Sequence, residues 1–180
     1  MENKNNSSGN YGRFFIMIGV SMVLMYLTTY LNSFDIFGHA WFSETRLFMS
    51  LIMGSVMTVV MLLFMLKMYR NKTVNILIIL GAVILFGSAL FLVRSQTTVT
   101  GVDYMEAMIP HHSIAILTSE RSQIEDPRVQ ELADAIIAAQ VREIKEMEWL
   151  IEDIRTNGVA SPEEADQRPV PDFSGELDQD

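Results

Sequence analysis

Cysteine is absent from the chain, so it can form neither a disulfide nor a thiolate metal site. A soft metal bound here must be held by methionine sulfur and histidine nitrogen instead. Acidic residues are nearly missing from the first half, where only Glu2, Asp35 and Glu44 precede Gly101. The remaining 19 acids fall between Gly101 and Asp180 against six bases, giving that half a formal charge of −13. Such a module repels nucleic acid phosphates and concentrates cations, so a nucleic-acid partner is excluded. No nucleophile–base pair, phosphate-binding loop or catalytic dyad is legible, and no enzyme is expected. No glutamate stands three residues before a histidine, which argues against a di-iron bundle.

Three long apolar runs fill the first half: residues 14–31, 47–66 and 74–93. A helix of roughly 20 such residues crosses a bilayer core about 30 Å thick. The first run is too long for a signal-peptide core and lacks a small-x-small cleavage pattern, so it reads as an uncleaved anchor. Lys67, Arg70 and Lys72 crowd the loop between the second and third runs, and Lys4 and Arg13 precede the first. The loop between the first two runs holds one base, Arg46. This bias expects residues 1–13, a disordered cytoplasmic tail, and the 67–73 loop inside. Everything after Arg94 then lies outside the cytoplasm, which in a Gram-negative cell is the periplasm of the inner membrane.

Met49, Met53, Met57, Met61 and Met65 recur every four residues in the second run. Each step drifts about 40° around a helix, so the ladder winds instead of lining one pore. Packing explains it better than a metal path.

After a linker over residues 95–101, the spacing predicts an antiparallel helical hairpin over 102–156. Asp103 is read as the first N-cap, with Glu106 completing a capping box. Pro110 should kink the first helix or mark a short segment before it. Asp126-Pro127 restarts the chain as a second helix, which Asn157-Gly158 ends. Its inward seam reads Val129, Leu132 or Ala133, Ile136, Gln140, Glu143, Met147, Leu150 and Ile154. Two polar residues in that seam need partners. Residues 157–180, acidic and proline-containing, are expected to be disordered.

Met105, Met108, His111 and His112 lie within eight residues. A turn centred near Glu125 sets His111 opposite residue 139 and Met108 opposite residue 142. The opposing donors are then Glu143, Met147 and, more weakly, Gln140. Thioether with imidazole favours Cu(I), while imidazole and carboxylate also suit Cu(II) or Zn(II). The plainer alternatives are core packing of the methionines and a His–Glu polar network.

The stretch Asp103-Tyr104-Met105-Glu106-Ala107-Met108-Ile109-Pro110-His111-His112 resembles the signature of the domain of unknown function 305 family. Gln140, Glu143-Ile144, Met147 and Trp149-Leu150 resemble its second block, and together the resemblance covers residues 98–156. It implies an all-α, ferritin-like helical bundle and, in some members, periplasmic copper binding. The metal candidates carried over by position are Met105, Met108, His111, His112 and Met147. Fuller members have two hairpins and this chain has one, so half a four-helix bundle is expected, completed by a homodimer or higher homo-oligomer. Serine follows the His-His pair here and Leu117 stands where methionine is common. The partners implied are membrane lipids, a second copy and copper-handling envelope proteins. The competing expectation is an interaction module without bound metal.

Overall fold

The computed structural model describes residues 10–177. Among them every regular element is helical. The chain divides into two compact units. Unit 1 comprises residues up to Thr29 together with Thr45–Thr98, and unit 2 comprises Tyr30–Glu44 together with the chain from Val99.

Unit 1 contains α1 (Tyr11–Thr28), α2 (Glu44–Phe64, its first residue counted in unit 2) and α3 (Lys72–Ser95). All three are long and apolar enough to cross a membrane. The helices overlap the three apolar runs but start two or three residues earlier. Side chains set those starts: Asn10 Oδ1 accepts from Arg13 N at 3.4 Å, and Asn71 Oδ1 accepts from Val74 N at 3.2 Å. Tyr11 to Arg13, expected in the polar tail, are therefore helical, while residues 1–9 of that tail lie outside the described residues. Gln96 ends α3 in the left-handed region, at φ 51°.

Phe14, Ile18, Leu62, Tyr69 and Ile78 form the core of unit 1. At Gly54 the thioether of Met22 approaches the backbone so closely that a Cβ would collide with it. The methionine ladder winds as its spacing requires. Met49 and Met53 face outward, while Met57, Met61 and Met65 pack against this core.

Unit 2 is built on α4 (Gly101–Arg121) and α5 (Pro127–Asn157), which pack against each other. Met105, Ile109 and Ile116 of α4 meet Val141, Ile144, Met147 and Ile151 of α5. Each such burial is worth about 1.5–3 kcal/mol. The cap of α4 differs from the sequence reading. Thr100 is the N-cap and Asp103 sits at the third helical position, where its carboxylate accepts from Thr100 N at 3.0 Å. Glu106 is thereby released from capping and instead pairs, buried, with Arg155 of α5. Pro110 does not divide α4. The helix runs through it, and the fully buried proline ring packs inside the unit.

The inward face of α5 is also corrected. Val129, Leu132 and Ile136 are exposed, whereas Ala133, Val141, Ile144, Met147 and Ile151 are buried. Ala133 and Met147 of the expected seam are buried and Leu150 and Ile154 pack against the core, while Val141, Ile144 and Ile151, each one residue on from an expected position, complete the core face. The cause is that α5 packs against more than α4. Phe34 and Trp41, from the segment before α2, press on the same cluster, as does Leu177 from the chain end.

The expectation of a disordered tail is corrected as well. Ser161 caps a short helix, α6 (Pro162–Gln167), and Arg168 follows it. Its guanidinium donates to both carboxylate oxygens of Asp153 at 2.9 and 2.8 Å. Further on, Lys145 Nζ donates to the Glu176 carbonyl at 3.2 Å. A Cβ at Gly175 would collide with the Ala138 carbonyl. The tail thus runs back along α5. An acidic composition predicts solvation, but a basic anchor, a close glycine and Leu177 dock this segment.

Candidate metal centre

The donors on α4 are presented differently from one another. Met105 is buried in the apolar cluster, Met108 is half-buried against it, and His111 is exposed. His112 is half-buried, and its Nδ1 lies 3.3 Å from Glu143 Oε2. The atoms are close, yet no hydrogen bond reaches His112 Nδ1, which is itself buried. Glu143 receives Gln140 Nε2 at 3.4 Å. Met147 is buried in the same cluster as Met105. The His111 and His112 rings are 6.3 Å apart between centroids and tilted by 52°.

The fold therefore joins His112, Glu143 and Gln140 on one flank of the helix pair and buries Met105 and Met147 beside one another's cluster. It leaves His111 pointing outward. Glu143 meets His112 instead of lying beyond Met108, a register several residues further from the turn than expected. Side chains on both helices lean toward their own N-termini, so His112 reaches away from the turn and Glu143 reaches back.

Burial holds the His112 imidazole below its usual range, and neighbouring His111 pushes the same way, while Glu143 opposes them. At neutral pH the ring is uncharged, the form that ligates metals. Among the described residues no three His, Asp or Glu side chains converge on a point where an ion could sit. The residues present fit copper only with thioether donors. His112 Nδ1, without a hydrogen bond and 3.3 Å from the Glu143 carboxylate, offers the imidazole, and the thioethers of the same helix pair are Met105 and Met147 in its apolar core and Met108 against it.

Sequence reasoning missed a second polar group in unit 2. Ser113, fully buried on α4, accepts from Phe34 N at 2.7 Å and lies 2.9 Å from His39 Nδ1. Burial keeps His39 below the usual imidazole range, against the pull of Asp35. Asp35 Oδ1 in turn accepts from Phe37 N and Gly38 N at 2.9 and 2.8 Å, which closes the turn that delivers His39. Burial, then the nearby Asp35, raises the Glu148 carboxyl above its usual range, with Lys145 opposing. Arg155 stacks 5.5 Å above the Trp41 ring. The available signal was the density of aromatics, Phe34, Phe37, Trp41 and Phe42, in what looks like a simple connection between spans.

The class defined so far is an all-helical protein with three membrane-length helices and a helix pair carrying a polar flank of His112, Glu143 and Gln140. The family described as "Domain of unknown function (DUF305)" matches residues 101–174. The chain is also 30% identical, over 144 residues, to an uncharacterised protein of Acanthamoeba polyphaga mimivirus. That likeness covers 76% of this chain and 92% of the viral protein. The chain belongs to the DUF305 family. The family match continues through the docked tail to residue 174, so the tail is part of the domain. No solved structure matches the chain.

Proposed function

We propose that this protein is a membrane-anchored metal-binding protein whose helix pair takes up copper outside the cytoplasm, for homeostasis or resistance. Cu(I) is the favoured ion, with Cu(II) or Zn(II) as weaker candidates. The observation that carries the reading is the buried His112 Nδ1, without a hydrogen bond and 3.3 Å from Glu143 Oε2, on a helix pair whose core holds Met105 and Met147 with Met108 packed against it. Met105, Met108, His112 and Met147 supply the donors, His111 a surface donor, and Glu143 and Gln140 the polar wall. The reading is of a binding protein and not an enzyme. The N-terminus lies in the cytoplasm and unit 2 in the periplasm, on the charge bias of the loops. The natural exchange partners are other copper-handling proteins of the envelope.

A single helix pair offers too few convergent donors, and Val129, Leu132 and Ile136 leave an apolar stripe open on the flank that holds Glu143. Two copies joined across that flank make a ferritin-like four-helix bundle with doubled donors. The same stripe supports a second reading, an envelope interaction module that needs no metal.

The test is titration of the full-length protein in detergent with Cu(I) against a chromophoric chelator, with the particle mass measured in parallel. His112→Gln, and Met108→Leu, which keeps volume but removes sulfur, should each weaken binding about tenfold or more. Leu132→Glu should halve the mass and weaken binding together. Copper affinity untouched by both donor substitutions sinks the metal site. Retained association without any copper affinity favours the interaction module.

A further inference from the structure

At one end of unit 1, the start of α1, the turn after α2 and the start of α3 are tied together by a polar and aromatic clasp. Tyr11 Oη donates to Asn75 Oδ1 at 2.9 Å, and the buried Asn75 amide donates to the Tyr69 carbonyl at 2.8 Å. The Tyr69 ring lies 4.9 Å from Tyr11 and 5.4 Å from Phe14, between centroids. Beside the clasp opens a cavity of about 290 Å³, walled by Phe14, Met17, Met65, Met68 and Tyr69, with Arg13 on its lining. The wall is apolar and the lining cation is exposed, so the cavity is amphipathic.

Charge on this end is one-sided. Arg13, Lys67, Arg70 and Lys72 stand on the three segments that meet there, all exposed. The described residues of unit 1 contain no aspartate or glutamate at all. Within the unit, Arg70 Nε reaches only the Lys67 carbonyl, at 3.4 Å. Among the described residues of the unit, these four cations next to an apolar cavity have no carboxylate counter-charge, which leaves them open to an anion.

We infer that this cavity binds an anionic phospholipid, its phosphate drawn by Arg13 and the basic turn and an acyl chain lying along Met17, Met65 and Met68. The chemistry matches both halves of the ligand. Juxtamembrane bases attract anionic headgroups by about 1 kcal/mol each, and clusters of four or more mark such recognition. Flexible methionine walls adapt to a mobile acyl chain. The rigid clasp fixes Phe14 and Tyr69, and so holds the pocket open at the level of the bases. The site rests on unit 1 crossing a bilayer and not on metal binding.

The test is native mass spectrometry of the full-length protein in mild detergent, offered equal amounts of phosphatidylglycerol and phosphatidylcholine with identical chains. Phosphatidylglycerol should be retained preferentially. Arg13→Gln combined with Arg70→Gln should reduce that retention about fivefold per cation removed. Arg13→Lys should largely keep it, and Arg94→Gln, at the other end of α3, should leave it unchanged. Retention should also fall with added salt in the unaltered protein, a readout that needs no variant. Equal retention of the two lipids overturns the site, as does equal loss with Arg94→Gln. Displacement by inorganic phosphate alone would show a free-anion site instead of a lipid site. A chain recovered without detergent in the soluble fraction would refute the membrane reading itself, a different outcome from loss of lipid preference.

Discussion

Ser113 shows how much a single side chain does in unit 2. Its hydroxyl joins α4 to two points on the segment before α2, the Phe34 amide and the His39 ring. Removing it leaves a half-buried amide and a half-buried ring nitrogen without that partner, which costs about 1 kcal/mol. Ser113→Ala should lower the midpoint of unit 2 melting accordingly. Tryptophan fluorescence reports that transition selectively, because Trp41 and Trp149 are the two tryptophans of the chain and both lie in unit 2. Acid should act at the same place. Folded His39 and His112 both hold protons less tightly than the ordinary imidazole, of pKa about 6.5. Below that value the unfolded chain binds more protons, so stability is lost as pH falls through the window beneath 6.5. Asp35 and Glu143 limit the effect, and the raised Glu148 acts oppositely, losing stability as pH rises above its ordinary range. Acidification from neutral pH should therefore lower the melting midpoint, and His39→Gln should flatten that dependence. An unchanged slope would remove His39 from this role.

Among the elements, the tail departs furthest from its composition. Arg168 anchors it to Asp153, Lys145 holds its backbone, and Leu177 enters the cluster. Gly175 is where the tail touches the backbone of α5, at the Ala138 carbonyl. Gly175→Ala should lift the tail from α5, seen as faster amide exchange over residues 138–145 and protease cleavage beyond Arg168. Protection equal to that of the unaltered protein would contradict this packing. The start and stop of α5 were legible because Asp126, Pro127 and Gly158 act locally. Its inward face was legible in part: Met147, Leu150 and Ile154 face the core as read, while Val129 and Ile136 do not. Each of Leu132/Ala133, Ile136/Ile137 and Glu143/Ile144 offers two neighbouring candidates, and the choice depends on what packs from outside the helix pair. The same holds for the candidate donors. The sequence grouped them, but it did not tell that His111 turns outward while His112 faces Glu143.

At the scale of the molecule, the charge bias makes a prediction about sides. The chain has no cysteine, so single cysteines introduced at Arg70 and at Arg121 give clean probes. With an impermeant maleimide on intact cells, the Arg121→Cys position should label and the Arg70→Cys position should not, until the membrane is opened. The reverse pattern would invert the proposed orientation. The three membrane-length helices, the all-helical class and the acidic second half were fixed by composition and run length, because a bilayer and a helix impose lengths that a linear sequence displays. Tertiary structure decided which residues complete unit 2. The segment joining the first two spans and the tail after α5 are distant in sequence from α4, and local patterning carries no sign that they meet it. Phe34, Trp41 and Leu177 from these segments pack against the cluster that buries Met105 and Met147, a contact that arises only when several segments share one core. The missing cysteine set the kind of donor this chain can offer, and the packing of unit 2 chose which donors stand together.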